Sequence, residues 1–298
     1  MSRYVVTGAL GAIGAWTVRV LLDRGHEVVG FDLDGSTHRL AMTLSAEELE
    51  SLPLERGDIT ALDGLERALD AHGAERVIHL AALQVPFVRA DPPLGARVDV
   101  VGTVNVFEAV RRRGIAPLVY ASSIAALGDG VPSTLYGVFK RANEGTGVRY
   151  FEDFGVSSIG LRPHTVYGPG RDQGVTSAPS AAMQAAADGR EFHIPFGGGL
   201  QLQYAPDVAE AFVRASELAY EGASVHNLDG PVASMADVIE AIRHVVPDAR
   251  LTAAEEPLPF PAGVDAGSFV ELLGGPVCRP LPEGVADALR RFRALSGT

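Results

Sequence analysis

Five short apolar runs separated by longer amphipathic segments fill the first 170 residues, and this alternation constrains the fold more than any other feature. The runs are "RYVVTG" (3–8), "HEVVGFD" (26–32), "RVIHLAA" (76–82), "APLVYASS" (116–123) and "VSSIGLRP" (156–163). Each is short, continuous and rich in Val and Ile, as expected of strands buried on both faces of a parallel sheet. Segments with helical periodicity lie between them, near 13–24, 61–72, 93–113 and 134–153. The alternation predicts an α/β protein: a doubly wound parallel sheet with helices on both faces. After residue 170 the pattern breaks. Gly- and Pro-rich loops separate helices expected near 176–188, 207–219, 234–245 and 283–295, with one strand, "SVHNLDG", among them. The expected division is a main domain over 1–170 and a smaller C-terminal lobe over 171–298, interleaved with the last sheet strands.

Composition narrows the class. The net charge is −12, and the densest basic cluster, "RRRG" at Arg111–Gly114, sits where a helix should end. Cations there offset the negative end of the helix dipole and the glycine supplies the cap. An acidic chain without a basic run is a poor partner for nucleic acid. The single cysteine, Cys278, rules out an internal disulfide and a multi-thiolate metal site, and reads as a small core residue. The eight histidines show no metal-ligand spacing, so no metal is expected. No stretch of about 18 apolar residues suggests a membrane span. The first residues run straight into a strand, and a cytoplasmic location is expected.

Directly after the first strand, "VVTGALGAIGAW" opens the first helix. Gly8, Gly11 and Gly14, with Ala12 and Ile13 between the last two, permit a tight turn and close approach of backbone N–H groups to a pyrophosphate at the helix N-terminus. An acid 24 residues beyond Gly8, Asp32, closes the second strand. Strand, glycines, helix and acid together predict a Rossmann-type dinucleotide site. A carboxylate at Asp32 accepts hydrogen bonds from ribose hydroxyls and repels a 2′-phosphate, and no arginine immediately follows it. NAD is therefore expected over NADP.

"STLYGVFKRANE" places Tyr136 four residues before Lys140, on one helical face. The spacing alone is weak. In context, the chain resembles the extended short-chain dehydrogenase/reductases of the NAD-dependent epimerase/dehydratase type, over residues 3 to about 215 and more weakly beyond. The family's Thr-Gly-x-x-Gly-x-x-Gly motif is matched by Thr7 through Gly14. "GDIT" is similar to the acid–apolar pair that brackets adenine, implying Asp58 and Ile59. "HLAALQ" looks like the loop that runs along the cofactor, implying Leu80, Ala81 and Ala82, with Gln84 toward the substrate. "SSIAALG" is similar to the segment carrying the active-site hydroxyl, implying Ser123. "YGVFK" supplies the tyrosine and lysine, and "RPHTVYGPG" resembles the loop into the substrate lobe, implying Pro163 on the cofactor and Thr165 on the substrate.

The resemblance implies the chemistry. Removing hydride from a secondary alcohol requires that the hydroxyl proton leave too, so a base must be within reach. A neighbouring ammonium favours the phenolate. Tyr136 would be the acid/base, Lys140 would provide charge and bond the nicotinamide ribose, and Ser123 would hold the substrate oxygen. Both Tyr136 and Lys140 thus belong to the catalytic and the cofactor-binding sets.

Departures from the family are as informative. Ser123 and Tyr136 are 13 residues apart, implying a trimmed loop between them. Asp99, in "VDVVGT", stands where an asparagine is common and otherwise reads as a simple surface acid. Thr165 takes the place of an asparagine that often touches nucleotide-sugar phosphates. In "GGGLQLQYAPDVAEAF", Leu200 occupies the position of an arginine that grips a diphosphate, with Gln201 and Gln203 following. Leucine carries no charge for that task. Arg171 is either a substitute for it or a local cap paired with Asp172.

The leading expectation is an NAD-dependent oxidoreductase acting on a secondary hydroxyl of a sugar, sugar acid or related polar alcohol. The alternatives are a nucleotide-sugar or sugar epimerase that retains its cofactor and a non-catalytic NAD-sensing protein. A dehydratase fits less well, because Ile124 and Ala125 follow the serine. Apolar positions at helical spacing (Val98, Val101, Val104 and Val106; Phe139, Val148, Tyr150 and Phe151) imply, by resemblance, a homodimer built on two paired helices, or else face the sheet.

Overall fold

The structure, a computed structural model, describes residues 1–33, 35–128 and 133–297. The chain divides into two compact units, Met1–Pro163 with Ala209–His226 and His164–Val208 with Asn227–Thr298.

The first unit carries the strands β1 (Arg3–Thr7), β2 (Glu27–Asp32), β3 (Leu54–Arg56), β4 (Arg76–His79), β5 (Leu118–Ala121) and β6 (Ser158–Arg162). A seven-stranded sheet runs β10-β6-β5-β4-β1-β2-β3, with β10 at Ala223–Asn227. The ladders from β3 through β6 are parallel, with Val5 opposite both Val29 and Val77. The expected α/β class and doubly wound sheet are therefore present. The long helices of this unit are α1 (Ala12–Asp23), α2 (Leu62–Ala71), α3 (Thr103–Arg113) and α4 (Leu135–Phe154). Val5, Val29, Val77, Phe107, Leu118 and Tyr120 form part of one buried core between sheet and helices. The chain turns back at β1, which pairs with β2 on one side and β4 on the other. Such a switch point opens a crevice beyond the strand ends.

The five strands expected here appear within a few residues of their expected bounds. The edge strand β3, "LER", was not expected; three residues with only one apolar member leave no periodic signal. The expected helix over 93–113 is three pieces: a short helix at Pro92–Ala96, a π-helical turn at Arg97–Gly102, and α3. Gly102 belongs to that turn because a Cβ there would stand 2.6 Å from Ile59 Cδ1. Helix α3 ends at left-handed Gly114 (φ 64°), as the "RRRG" cluster predicts, and Arg111, Arg112 and Arg113 bond Glu108, Glu66 and Asp70.

The second unit contains β7 (Thr165–Tyr167), β8 (Phe192–Ile194), β9 (Gly199–Tyr204), β11 (Val232–Ser234) and β12 (Leu251–Ala253), in a three-stranded sheet β11-β9-β7 and a pair β12-β8. Its long helices are α5 (Ala178–Ala187), α7 (Met235–Val245) and α8 (Leu281–Ser296), while α6 spans Ala205–Glu217. These helices were expected and the five strands were not: four have three residues each, and β9 is buried along most of its length. Among the described residues no helix is long and apolar enough to cross a membrane.

Candidate functional site

Strand β1 ends in the glycine turn. Gly8 has φ 75°, its N–H bonds Phe31 O at 2.9 Å, and a Cβ there would lie 2.6 Å from Ala81 N. A Cβ on Gly14 would stand 2.0 Å from Gly8 O, so α1 packs against the turn as only glycine permits. Gly11 caps α1 without any side-chain hydrogen bond, and no acid lies in the first turn. The N–H groups at Ala12 and Ile13 thus meet the chain's positive helix end with no side-chain acceptor, a cradle suited to a pyrophosphate.

At the end of β2, Asp32 accepts from Leu10 N and Leu33 N, both at 2.8 Å. Burial pushes its carboxyl above the usual range, against the pull of those two bonds and of Arg39. The two N–H groups fix the carboxylate and leave further lone pairs for ribose hydroxyls. Arg39, which also donates to Leu10 O at 3.1 Å, escaped the sequence reading because it lies seven residues beyond Asp32. Asp58 is exposed and accepts from Thr60 N at 2.8 Å, while Ile59 is buried. Leu80, Ala81, Ala82 and Gln84 follow β4, with Leu80 N bonded to Thr7 O at 3.0 Å and Gln84 capping the short helix Val85–Ala90. Glycine turn, helix end and fixed carboxylate are a set that an adenine dinucleotide fits.

Beyond β5 lies Ser123, whose Oγ accepts from Ala125 N at 3.1 Å. Thr134 caps α4 through its hydroxyl, which accepts from Gly137 N at 3.0 Å, so Tyr136 falls in the first turn and Lys140 one turn later. Lys140 is buried; its Nζ donates to Ala121 O at 2.8 Å and lies 5.5 Å from the Tyr136 ring centroid. The strand end that carries Ser123 is thus tied to the helix that carries the tyrosine and lysine. A second tie joins the same elements: Ser122 Oγ donates to Glu144, which also accepts from Arg162 Nε at 2.7 Å and Nη2 at 2.6 Å. Pro163 O accepts from Ile124 N at 3.2 Å. The short loop expected between Ser123 and Tyr136 includes 129–132, outside the described residues.

A buried polar cluster adjoins Lys140. Thr103 Oγ1 donates to Asp99 O at 2.8 Å, so it accepts from His79 Nε2 at 3.1 Å and Asn143 Nδ2 at 3.2 Å. His79 Nδ1 is then the bare nitrogen, accepting from Thr7 Oγ1 at 2.7 Å. Burial and the charge of Lys140 push His79 down to about 3. Asp99, which reads as a surface acid in the sequence, is instead fully buried, because the π-helical turn carries it inward. No sequence signal marks His79, Thr103 or Asn143.

The second unit holds the remaining expected residues. Thr165 is buried in β7, its Oγ1 3.1 Å from His164 Nδ1. Arg171 Nη2 donates to Thr176 Oγ1 at 3.2 Å. Leu200 is buried in an apolar cluster with Leu202, Tyr204, Met235 and Leu289. Gln201 and Gln203 are buried too: both donate to Leu228 O, and their carbonyls accept from Val264 N and His164 N. Cys278 is only partly buried; burial, with Asp229 and Asp207, pushes its thiol up. No group of three His, Cys, Asp or Glu among the described residues could hold a metal ion.

The NAD dependent epimerase/dehydratase family matches residues 4–228. A UDP-glucose 4-epimerase of Mycolicibacterium smegmatis is 32% identical over 317 aligned residues, covering 98% of each chain. The solved structure of a Thermus thermophilus UDP-glucose 4-epimerase in complex with NAD superposes with a TM-score of 0.79 at 28% identity, covering 98% of this chain and 99% of that one. L-threonine 3-dehydrogenase from Trypanosoma brucei, with a TM-score of 0.86 at 22% identity over 100% of this chain and 98% of that one, shares the fold.

Proposed function

Because the chain belongs to the NAD dependent epimerase/dehydratase family and is an NAD-dependent enzyme of the extended short-chain dehydrogenase/reductase type, we propose that it oxidises a secondary hydroxyl of a sugar, sugar acid or related polar alcohol. The observation that carries this reading is the ammonium of Lys140, buried 5.5 Å from the Tyr136 ring. Bound NAD supplies the hydride acceptor. Gly8, Gly11, Ala12, Ile13 and Gly14 would hold its pyrophosphate, Asp32 its ribose, Asp58 and Ile59 its adenine, and Leu80, Ala81, Ala82 and Pro163 its remaining length.

The side chains divide the proton work. Ser123 Oγ already accepts the Ala125 N–H, so its own hydrogen is free to hold a substrate oxygen. Tyr136 then takes the hydroxyl proton, with Lys140 one helical turn away and its Nζ 5.5 Å from the ring centroid. One of the three Lys140 hydrogens is committed to Ala121 O; the others remain for the nicotinamide ribose. Gln84, Thr165 and Arg171 are the proposed substrate contacts.

Leu200 favours a substrate without a diphosphate. The position that would need fixed positive charge is a leucine packed in an apolar core, and the glutamines after it are committed to backbone. Likeness to a UDP-glucose 4-epimerase over 98% of the chain favours the second reading, an epimerase that returns the hydride to the opposite face.

Denaturing purified, desalted protein and measuring the NAD released per chain separates the two. Little retained NAD, with NADH formed from a member of a panel of sugars and uronic acids, supports the dehydrogenase. Near-stoichiometric retention with isomerised sugar or nucleotide-sugar supports the epimerase. NAD binding without turnover of any panel member would leave a non-catalytic NAD-sensing role. We also propose a homodimer through the helical stretch 93–113 and α4, where Val101 of the π-helical turn and Val148 and Phe154 of α4 are 48%, 37% and 55% exposed.

A further inference from the structure

We propose that Asp99 is the counter-charge of Lys140, a buried positioning residue that limits how much of the ammonium's field reaches Tyr136. This rests on the assignment of Tyr136 and Lys140 above. Asp99 sits in the π-helical turn Arg97–Gly102 and is fully buried. Turns with an extra residue redirect side chains and recur at functional sites. One carboxylate oxygen, Oδ1, accepts from Leu83 N at 2.7 Å; Oδ2 is buried with no hydrogen-bond partner among the described residues. A carboxylate oxygen so placed is costly unless a cation lies near. Lys140 supplies that charge: it is buried three residues before Asn143 on α4, whose Nδ2 donates to Asp99 O at 2.7 Å, and it pulls the Asp99 carboxyl down against the burial that pushes it up.

The groups facing this pair come from every neighbouring element. Thr7 ends β1, and His79 ends β4 and is held neutral by burial and by Lys140. Thr103 from α3 and Asn143 from α4 bond the Asp99 carbonyl at 2.8 and 2.7 Å, which fixes the turn. The Tyr136 ring centroid lies 5.5 Å from the Lys140 Nζ. Asp99 and Lys140 are thus the acidic and the basic member of the cluster, of opposite charge type. An amide at residue 99 would leave the ammonium uncompensated beside Tyr136.

Lys140 is the only lysine in the chain, so protein made with ¹³C-lysine shows a single side-chain ε resonance. Its titration can be followed without cofactor or substrate. In Asp99→Asn the pH midpoint of that resonance falls by about 1 unit or more relative to wild type. Asp99→Ser, smaller and equally uncharged, gives the same result if the amide does not fit. The coupling is also readable from the other partner: Lys140→Met takes up a proton at Asp99 near neutral pH, seen as a protonated-carboxyl infrared band absent from wild type. Once a substrate is known, the acid limb of the Asp99→Asn rate profile shifts down by a similar amount. An unmoved lysine midpoint, or no new carboxyl band in Lys140→Met, would overturn the proposal. Absence of any turnover would instead count against the functional assignment and leave the lysine titration to decide this one.

Discussion

The Lys140 ammonium stands 5.5 Å from the centroid of the Tyr136 ring, one helical turn behind it on α4. The distance lets the charge act on the phenol without a direct bond, while Ala121 O holds the ammonium in place. Tyr136→Phe removes the proton acceptor and keeps the ring. Activity falls by roughly 10²–10⁴-fold, the usual contribution of a general base. NAD affinity, measured by calorimetry, falls far less than activity, because the glycine turn and Asp32 remain. Full activity in the phenylalanine variant would refute the role of Tyr136.

Gly14→Ala places a Cβ 2.0 Å from Gly8 O, a backbone atom that cannot swing away. The expected cost is about 1–3 kcal/mol of stability, with NAD affinity lowered as the turn shifts. Gly145, in the middle of α4, is the control: nothing lies within 4 Å of its Cβ position. Gly145→Ala stabilises by about 0.5–1 kcal/mol through helix propensity. Thermal unfolding with and without NAD reads both.

His79 is held neutral in the folded state, pushed down from 6.5 to about 3. Between those values the unfolded chain binds a proton that the native chain does not. Its contribution is therefore intact above about pH 6.5 and is lost progressively as pH falls toward about 3. His79→Gln removes that dependence, although it lowers stability overall. Urea midpoints at about pH 7 and pH 5 should differ more for wild type than for the variant. Equal slopes would contradict the buried neutral imidazole.

Leu200→Arg puts a charge into the apolar cluster around Tyr204 and Leu289. It destabilises by on the order of 3–5 kcal/mol and does not create a diphosphate site. Leu200→Met, which keeps volume and apolarity, costs under about 1.5 kcal/mol. Denaturant titration of the two variants separates a packing residue from a misplaced ligand.

Val101→Glu and Val148→Glu introduce charge at half-exposed apolar positions of the turn before α3 and of α4. Sedimentation should give twice the chain mass for wild type and the single-chain mass for the variants, with NAD binding retained. A wild-type monomer would remove the homodimer proposal.

Much of the framework was legible because it is local. The glycine turn, the acid 24 residues after Gly8 and the Tyr136/Lys140 spacing each encode their geometry within one or two elements. Strands β1, β2, β4, β5 and β6 announce themselves because burial on both faces demands continuous apolar runs. The same criterion passes over "LER" in β3 and the three-residue strands of the second unit, where three residues are too few to establish a pattern.

What only tertiary structure decided involves partners far apart in sequence. Arg39 was unreadable because the chain between it and Asp32 must fold back first. Leu200 reads as a missing arginine until packing makes it core. Asp99 looks like any surface acid until a π-helical turn and bonds from Leu83, 16 residues earlier, and Asn143, 44 residues later, carry it inside. By itself the sequence determined the sheet, the dinucleotide cradle and the reactive pair, because these depend on spacing along one element. The folded chain decided which charges share a buried environment, because burial and Coulomb energy depend on distances that only packing sets.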